Sequence, residues 1–277
     1  MDNRRERIQW HPAFYAATQL EFMEDADNLE FYEEKQLSKA PLAVDIVIVK
    51  KTRDIETKNN IGKLFRENNI IEYKAVKDEL NVDTFHKVIA YACLYKASAK
   101  RVDEIKQSSI SITLARYIRP TGLFRWLSEN GYGIYRIYPG IYYVKGGMFP
   151  CQIVVIRELK KEDHLWLKIL TDTVEDGVIS AVRTKVVNET KPYNRQLMKS
   201  VLHASINANM DQFKKEEAEM DAIKELFGYD FEEVNEKLEK TQKDKEKAEK
   251  DKEKAEKENI ILKDKIKALE QQLAALS

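Results

Sequence analysis

The sequence predicts an α/β domain over residues 1–228 followed by a coiled-coil helix over 229–277. Three observations predict it. Short runs rich in β-branched residues, such as LAVDIVIV at Leu42–Val49 and SISITLARYI at Ser109–Ile118, have the length and content of strands. Between such runs lie longer segments whose apolar residues recur every three or four positions, the spacing of one helix face. After Phe227-Gly228 aromatic residues fade, Lys and Glu dominate, and KDKEKAE occurs twice in succession, at Lys243–Glu249 and Lys250–Glu256.

His11–Glu24 is expected to be helical, with Phe14, Ala17, Leu20, Glu21 and Met23 spaced along a face and Pro12 suited to the first turn. Asn28–Leu37 is read as a strand despite its polar content. Leu42–Val49 is a strand long enough to be buried on both faces. Asn59–Glu67 is read as a short helix and Ile70–Lys74 as a second apolar strand. Asp83–Ala97 has helical spacing, with Phe85, Val88, Ile89, Ala92 and Tyr95 on one side and Asp83 as the expected N-cap. Ser109–Ile118, Ile134–Tyr138, Ile141–Val144 and Ile153–Arg157 read as strands, and Pro139-Gly140 as a turn joining two of them in a hairpin. Pro192–Asn207 resumes helical spacing. In the tail, Phe231, Leu238, Lys245, Lys252, Asn259, Ile266 and Leu273 fall at a positions of a heptad. Val234, Thr241, Ala248, Ala255, Leu262, Leu269 and Leu276 fall at d. The seam is apolar at both ends and weak in the middle. It predicts a homo-oligomer, against the alternative of a solvated single helix held by Glu–Lys pairs.

Composition narrows the functional classes. The chain has 277 residues, 43% hydrophobic and 34% charged, enough apolar content for a sizeable core. Lys+Arg and Asp+Glu both number 47, so any polyanion site must be a local patch. Cys93 and Cys151 are read as reduced core residues, as in a cytosolic protein. MDNRRERIQW is charged and lacks the apolar stretch of a signal peptide, and no run approaches the ~20 apolar residues of a membrane span. A soluble, cytoplasmic protein without membrane contact is expected. His11, His86, His164 and His203 are scattered without zinc-ligand spacing and read as structural or surface residues. The glycine-bearing turns Asn130–Gly133 and Lys145–Gly147 lack the spacing of a phosphate cradle, and no nucleophile elbow is present. Trp126 and Trp166 read as core.

The chemistry is concentrated in NNIIEYK. Strand side chains alternate, so Ile70, Glu72 and Lys74 share one face while Ile71 and Tyr73 point the other way. Asp45 likewise interrupts the apolar run LAVDIVIV. A lone buried carboxylate costs several kcal/mol. Two of them and a lysine on adjacent apolar strands therefore imply mutual compensation. They form either a buried ion-pair cluster or the oxygen ligands of a hard cation such as Mg²⁺. A divalent ion beside an ammonium suits hydrolysis of a phosphodiester, because it neutralises the phosphate and lowers the pKa of bound water.

Pro41-Leu-Ala-Val-Asp45, a gap, then Glu72-Tyr73-Lys74 resembles the PD-(D/E)XK nuclease superfamily. The text PLAVDIVIVKK…IGKLFRENNIIEYKAVKDELNVDTFHKVIAYACLY resembles its bacterial branch of recombination-promoting nucleases and transposase-associated proteins. The likeness is strongest over residues 10–118, looser to about residue 210, and does not include the heptad tail. The proline stands four residues before the aspartate instead of next to it. The resemblance implies a restriction-endonuclease-like mixed sheet flanked by helices and a DNA endonuclease using Mg²⁺, with Mn²⁺ as substitute, in a setting of recombination or mobile elements. Carried over residue by residue, it makes Asp45 and Glu72 metal ligands, with the Tyr73 backbone carbonyl as a third, and Lys74 the catalytic lysine. Glu21, or alternatively Glu24, would be the carboxylate from the first helix. From the basic and aromatic set Lys87, Tyr91, Lys96, Lys100, Arg101, Arg116 and Arg119, Lys87 and Arg116 are the candidates for phosphate contact. Lys96, Lys100 and Arg101 also fit a solvated helix end. The alternative function is a catalytically inactive, oligomeric adaptor that binds nucleic acid or protein on the same fold.

Overall fold

The structure, a computed structural model, describes residues 10–33, 46–53 and 55–215. Its strands are β1 (Leu29–Glu33), β2 (Ile46–Lys51), β3 (Asn68–Lys74), β4 (Ile110–Arg116), β5 (Gly133–Tyr138), β6 (Ile141–Lys145) and β7 (Cys151–Val155). They form one mixed sheet of seven strands in the order β1-β2-β3-β4-β7-β6-β5. The central strands β3, β4 and β7 are parallel, and the pairings on either side of them are antiparallel. β3 and β4 are buried along nearly their whole length, so the polar residues Asn69, Glu72, Ser111 and Thr113 that interrupt their apolar positions lie in the interior.

Among the described residues six α-helices accompany the sheet: α1 (Trp10–Glu21), α2 (Val82–Ala97), α3 (Thr121–Glu129), α4 (Leu165–Lys168), α5 (Val178–Asn188) and α6 (Pro192–Lys215). Cross-strand register sorts the sheet residues into two faces. Ile70, Ile112, Cys151, Val144 and Ile134 form a row on one face. Phe85, Val88 and Ala92 of α2 and Leu123 and Leu127 of α3 pack there in a single core. The opposite row runs through Val47, Ile71, Thr113, Gln152, Tyr143 and Tyr135. α1 covers its first part: Phe14 stacks on Tyr73 with ring centroids 4.3 Å apart. α6 and α4 pack against α1, and α5 against both of them.

Buried polar side chains tie this frame together. Asn69 donates from Nδ2 to the carbonyls of Val49 and Arg66, and its Oδ1 accepts from Arg66 N and Ser111 Oγ. Gln152 Nε2 donates to Ile61 O and Thr113 Oγ1. Near the end of α6 the backbone of Asn209 leaves helical geometry (φ −131°, ψ 32°). Its Nδ2 donates to Ser205 O at 2.9 Å and Thr171 O at 2.6 Å, a side-chain insertion of the kind that kinks helices. The Pro139-Gly140 turn closes the β5–β6 hairpin. Gly140 has φ +73°, and a Cβ there would stand 2.7 Å from Val155 O, so no other residue fits comfortably.

Several expectations shift. The first helix stops at Glu21 and continues as a 3-10 turn over Met23–Asn28, and the following strand starts at Leu29. Asn59–Glu67 holds only one 3-10 turn, Ile61–Leu64. Asn59 Oδ1 takes the Ile61 N–H and Asn69 takes that of Arg66, so local side-chain bonds compete with the helix ladder. The N-cap of α2 is Asn81, not Asp83: its side chain accepts from Thr84 N at 3.0 Å, and Asp83 sits inside the first turn. Cys93 is exposed and not a core residue, because it follows the buried Ala92 by about 100° around α2. Helices α3, α4 and α5 are not among the expected elements. Leu42–Asp45 and the heptad segment 229–277 lie outside the described residues. Among the described residues no helix is long and apolar enough to cross a membrane.

Candidate active site

Parallel strands end together. Lys74 closes β3, Arg116 closes β4 and Val155 closes β7, and the register sets Lys74 beside Arg116. Carboxyl ends of parallel strands are where α/β sheets place their ligands. Two residues back, Glu72 points to the α2 face, as its alternation with the core residue Ile70 requires. Its side chain is 1% exposed, between Ile46 on β2 and Leu114 on β4 in register.

Among the described residues the Glu72 carboxylate is answered by one cation. Lys74 Nζ lies 2.7 Å from Oε1, with the lysine side chain 18% exposed. Apart from that ammonium, neither Oε1 nor Oε2 receives a hydrogen bond from a described residue. Buried carboxylates normally collect donors. Free lone pairs on a buried carboxylate are what a hard cation takes. One carboxylate makes a partial site. Among the described residues no group of three His, Cys, Asp or Glu side chains converges on a metal position. Asp45, the expected second ligand, and Pro41 lie outside the described residues.

The remaining predicted residues divide by face. Tyr73 points away from Glu72, stacked on Phe14, with its hydroxyl donating to Leu170 O. Burial, and secondarily the nearby Asp78 and Asp172 charges, push its phenol well above the ordinary range. Arg116 shares the Glu72 face, and its Nε donates to Asp78 O at 3.0 Å. Lys87 is on the exposed side of α2, its ammonium 5.4 Å from the centroid of the Tyr91 ring.

Glu21 is not brought to Glu72. Together with Phe14, Ile71 and Thr113 it lines a small void under α1, on the Tyr73 side, so the sheet stands between the two carboxylates. Its carboxylate has other work there. Oε1 accepts the N–H groups of Trp166 at 2.8 Å and Leu167 at 3.1 Å, and Oε2 faces His164 Nδ1 at 3.1 Å and Asn59 Nδ2 at 3.4 Å. Glu24 is exposed and pairs with Lys58 at 3.2 Å.

Beside the strand ends lies a network that sequence reasoning passed over. Arg119 pairs with Glu158 at 2.9 Å, and the Tyr142 hydroxyl bridges both. Burial works to raise the Glu158 carboxyl, but the bonds from Arg119 and Tyr142 outweigh it and hold the group below its ordinary value. Glu158 and Tyr142 carry no local signal, since the three partners lie 16 to 39 positions apart in sequence. Compared with protein-family models, with curated proteins and with solved structures, the chain matches none.

Proposed function

We propose that this protein is a divalent-metal-dependent endonuclease hydrolysing phosphodiester bonds of DNA on a restriction-endonuclease-like fold. The observation that carries it is Glu72: a buried carboxylate 2.7 Å from Lys74 with no other hydrogen-bond donor among the described residues, near the carboxyl ends of three parallel strands. Glu72 and Asp45 would hold Mg²⁺ or Mn²⁺, with the Tyr73 carbonyl as a further ligand. Glu21 is left out of the set because the sheet separates it from Glu72. The ion, when bound, supplies charge neutralisation at the phosphate and a water of lowered pKa. Lys74 orients the attacking water and stabilises charge developing on the phosphoryl oxygens. Arg116, beside it in register, meets a phosphate oxygen, and Lys87 a flanking one.

Register sets one condition. Ile46 is the partner of Glu72 across β2 and β3. Asp45 therefore shares the Glu72 face only through a break in strand alternation at that point, as a β-bulge provides. The heptad pattern of 229–277 adds oligomerisation to the proposal, which brings two active sites to the two strands of a duplex.

A second reading, a non-catalytic adaptor, is favoured by one fact: Lys74 already neutralises Glu72 without a metal. Two measurements separate them. Titration calorimetry is expected to show Mg²⁺ or Mn²⁺ binding that Asp45→Ala and Glu72→Ala each abolish. Wild type is expected to nick supercoiled plasmid, and Lys74→Ala to lose about 10²–10⁴-fold of that rate. Intact plasmid across a broad metal and pH screen, with no metal heat, gives the adaptor reading.

A further inference from the structure

A second surface lies on the other face of the sheet. From Asn130 to Arg157 the chain contains no Asp or Glu, although 34% of all residues are charged. The same stretch holds Arg136, Lys145 and Arg157 and five of the 13 tyrosines. β5 and β6 are its core. Among the described residues the cross-strand row Ile71, Thr113, Gln152, Tyr143, Tyr135 is covered as far as Gln152, which donates to Ile61 O. Beyond it Tyr143 is half-buried and Tyr135 is 50% exposed.

The rings are placed for stacking. Tyr135 lies over Gly133: its ring atoms stand 2.6 to 3.1 Å from where a Cβ at that glycine would be. The missing side chain thus lets the ring lie along the sheet. Lys145 Nζ is 5.0 Å from the Tyr135 ring centroid. Tyr138 joins this side through the irregularity between Arg136 and Tyr138, which sets it opposite Ile141. Burial, and secondarily Tyr138, push the Tyr143 phenol above its ordinary value.

We propose that this face binds single-stranded nucleic acid, its bases stacking on Tyr135 and Tyr143 and its phosphates meeting Lys145. Half-exposed aromatic rings on a sheet with a cation at their margin match an unpaired strand, which offers bases for stacking and a continuous anionic backbone. A duplex keeps its bases stacked inside and offers the rings nothing. The acid-free hairpin removes like-charge repulsion of phosphates. The surface lies on the face opposite Glu72, so it stands independently of the metal chemistry.

Fluorescence anisotropy with the full chain in EDTA tests it, using short labelled oligothymidylate, oligouridylate and a duplex of equal length. EDTA keeps any cleavage silent, so failure of the nuclease reading leaves this result untouched. Single strands are expected to bind more tightly than the duplex, and the two oligonucleotides decide between DNA and RNA. Tyr135→Ala and Tyr143→Ala are each expected to weaken binding about tenfold, and Tyr135→Phe to stay within about twofold. Lys145→Gln is expected to flatten the salt dependence. Equal affinity for duplex, unchanged affinity in both alanine variants, or a Tyr135→Ala effect confined to sedimentation mass would each overturn the proposal.

Discussion

Glu72 and Cys151 show how one side chain's surroundings set its chemistry. Among the described residues the buried Glu72 carboxylate has Lys74 as its partner and no further donor, a balance that removing the lysine would leave uncompensated by several kcal/mol. Its alternation with Ile70 was legible because the strand period of two is local. Cys151 opens a buried strand, and burial alone pushes its thiol from 9.0 up to about 12, so the reactive thiolate is scarce at neutral pH. Cys93 faces solvent on α2. Ellman's reagent at mildly alkaline pH is therefore expected to titrate one of the two cysteines in the native protein and both after denaturation. Two rapidly labelled native thiols would contradict the burial of Cys151.

At the scale of elements, the short helix α4 depends on a residue from the far end of α1. Glu21 takes the N–H groups of Trp166 and Leu167 and holds His164, more than 140 positions away in sequence. Leu165–Lys168 is too short to be stable by propensity. Glu21→Ala leaves two backbone donors and an imidazole unanswered. It is expected to cost about 2–4 kcal/mol, seen as a lower urea midpoint. Glu21→Gln keeps an acceptor and is expected to lose less, with Mg²⁺ affinity unchanged. A Glu21→Ala variant as stable as wild type would remove this role. The same distance explains the missed reading: the spacing of Glu21 on its helix was visible in sequence, but its partner helix was not. α5 was missed for another reason. Val178, Ile179, Val182 and Val186 have helical spacing, yet their β-branched side chains blur the signal.

For the whole molecule, burial of weak acids sets the response to alkali. Burial lifts Tyr95, with Glu67 second, from 10.0 to about 12, lifts Cys151 as far, and lifts Tyr73 beyond the ordinary range. Each of these groups holds its proton more tightly folded than unfolded. Their contribution to stability is complete below the unfolded values and is lost as pH rises through 9 towards 12, by about 1.4 kcal/mol per pH unit for each group ionised only when unfolded. The urea midpoint is expected to hold between neutral pH and about 9 and to fall above it. Cys151→Ala should delay the onset, and a flat profile to pH 11 would refute the assignment. The sequence by itself determined the seven strands in order, the helices α1, α2 and α6, and the shared face of Glu72 and Lys74, because periodicity and burial patterning act over a few residues. Only tertiary structure decided that Glu21 lies across the sheet from Glu72, that Lys74 stands beside Arg116, and that the Tyr143–Tyr135 row emerges uncovered. Those relations depend on strand order and register, which are set by how distant segments pack and not by any local run.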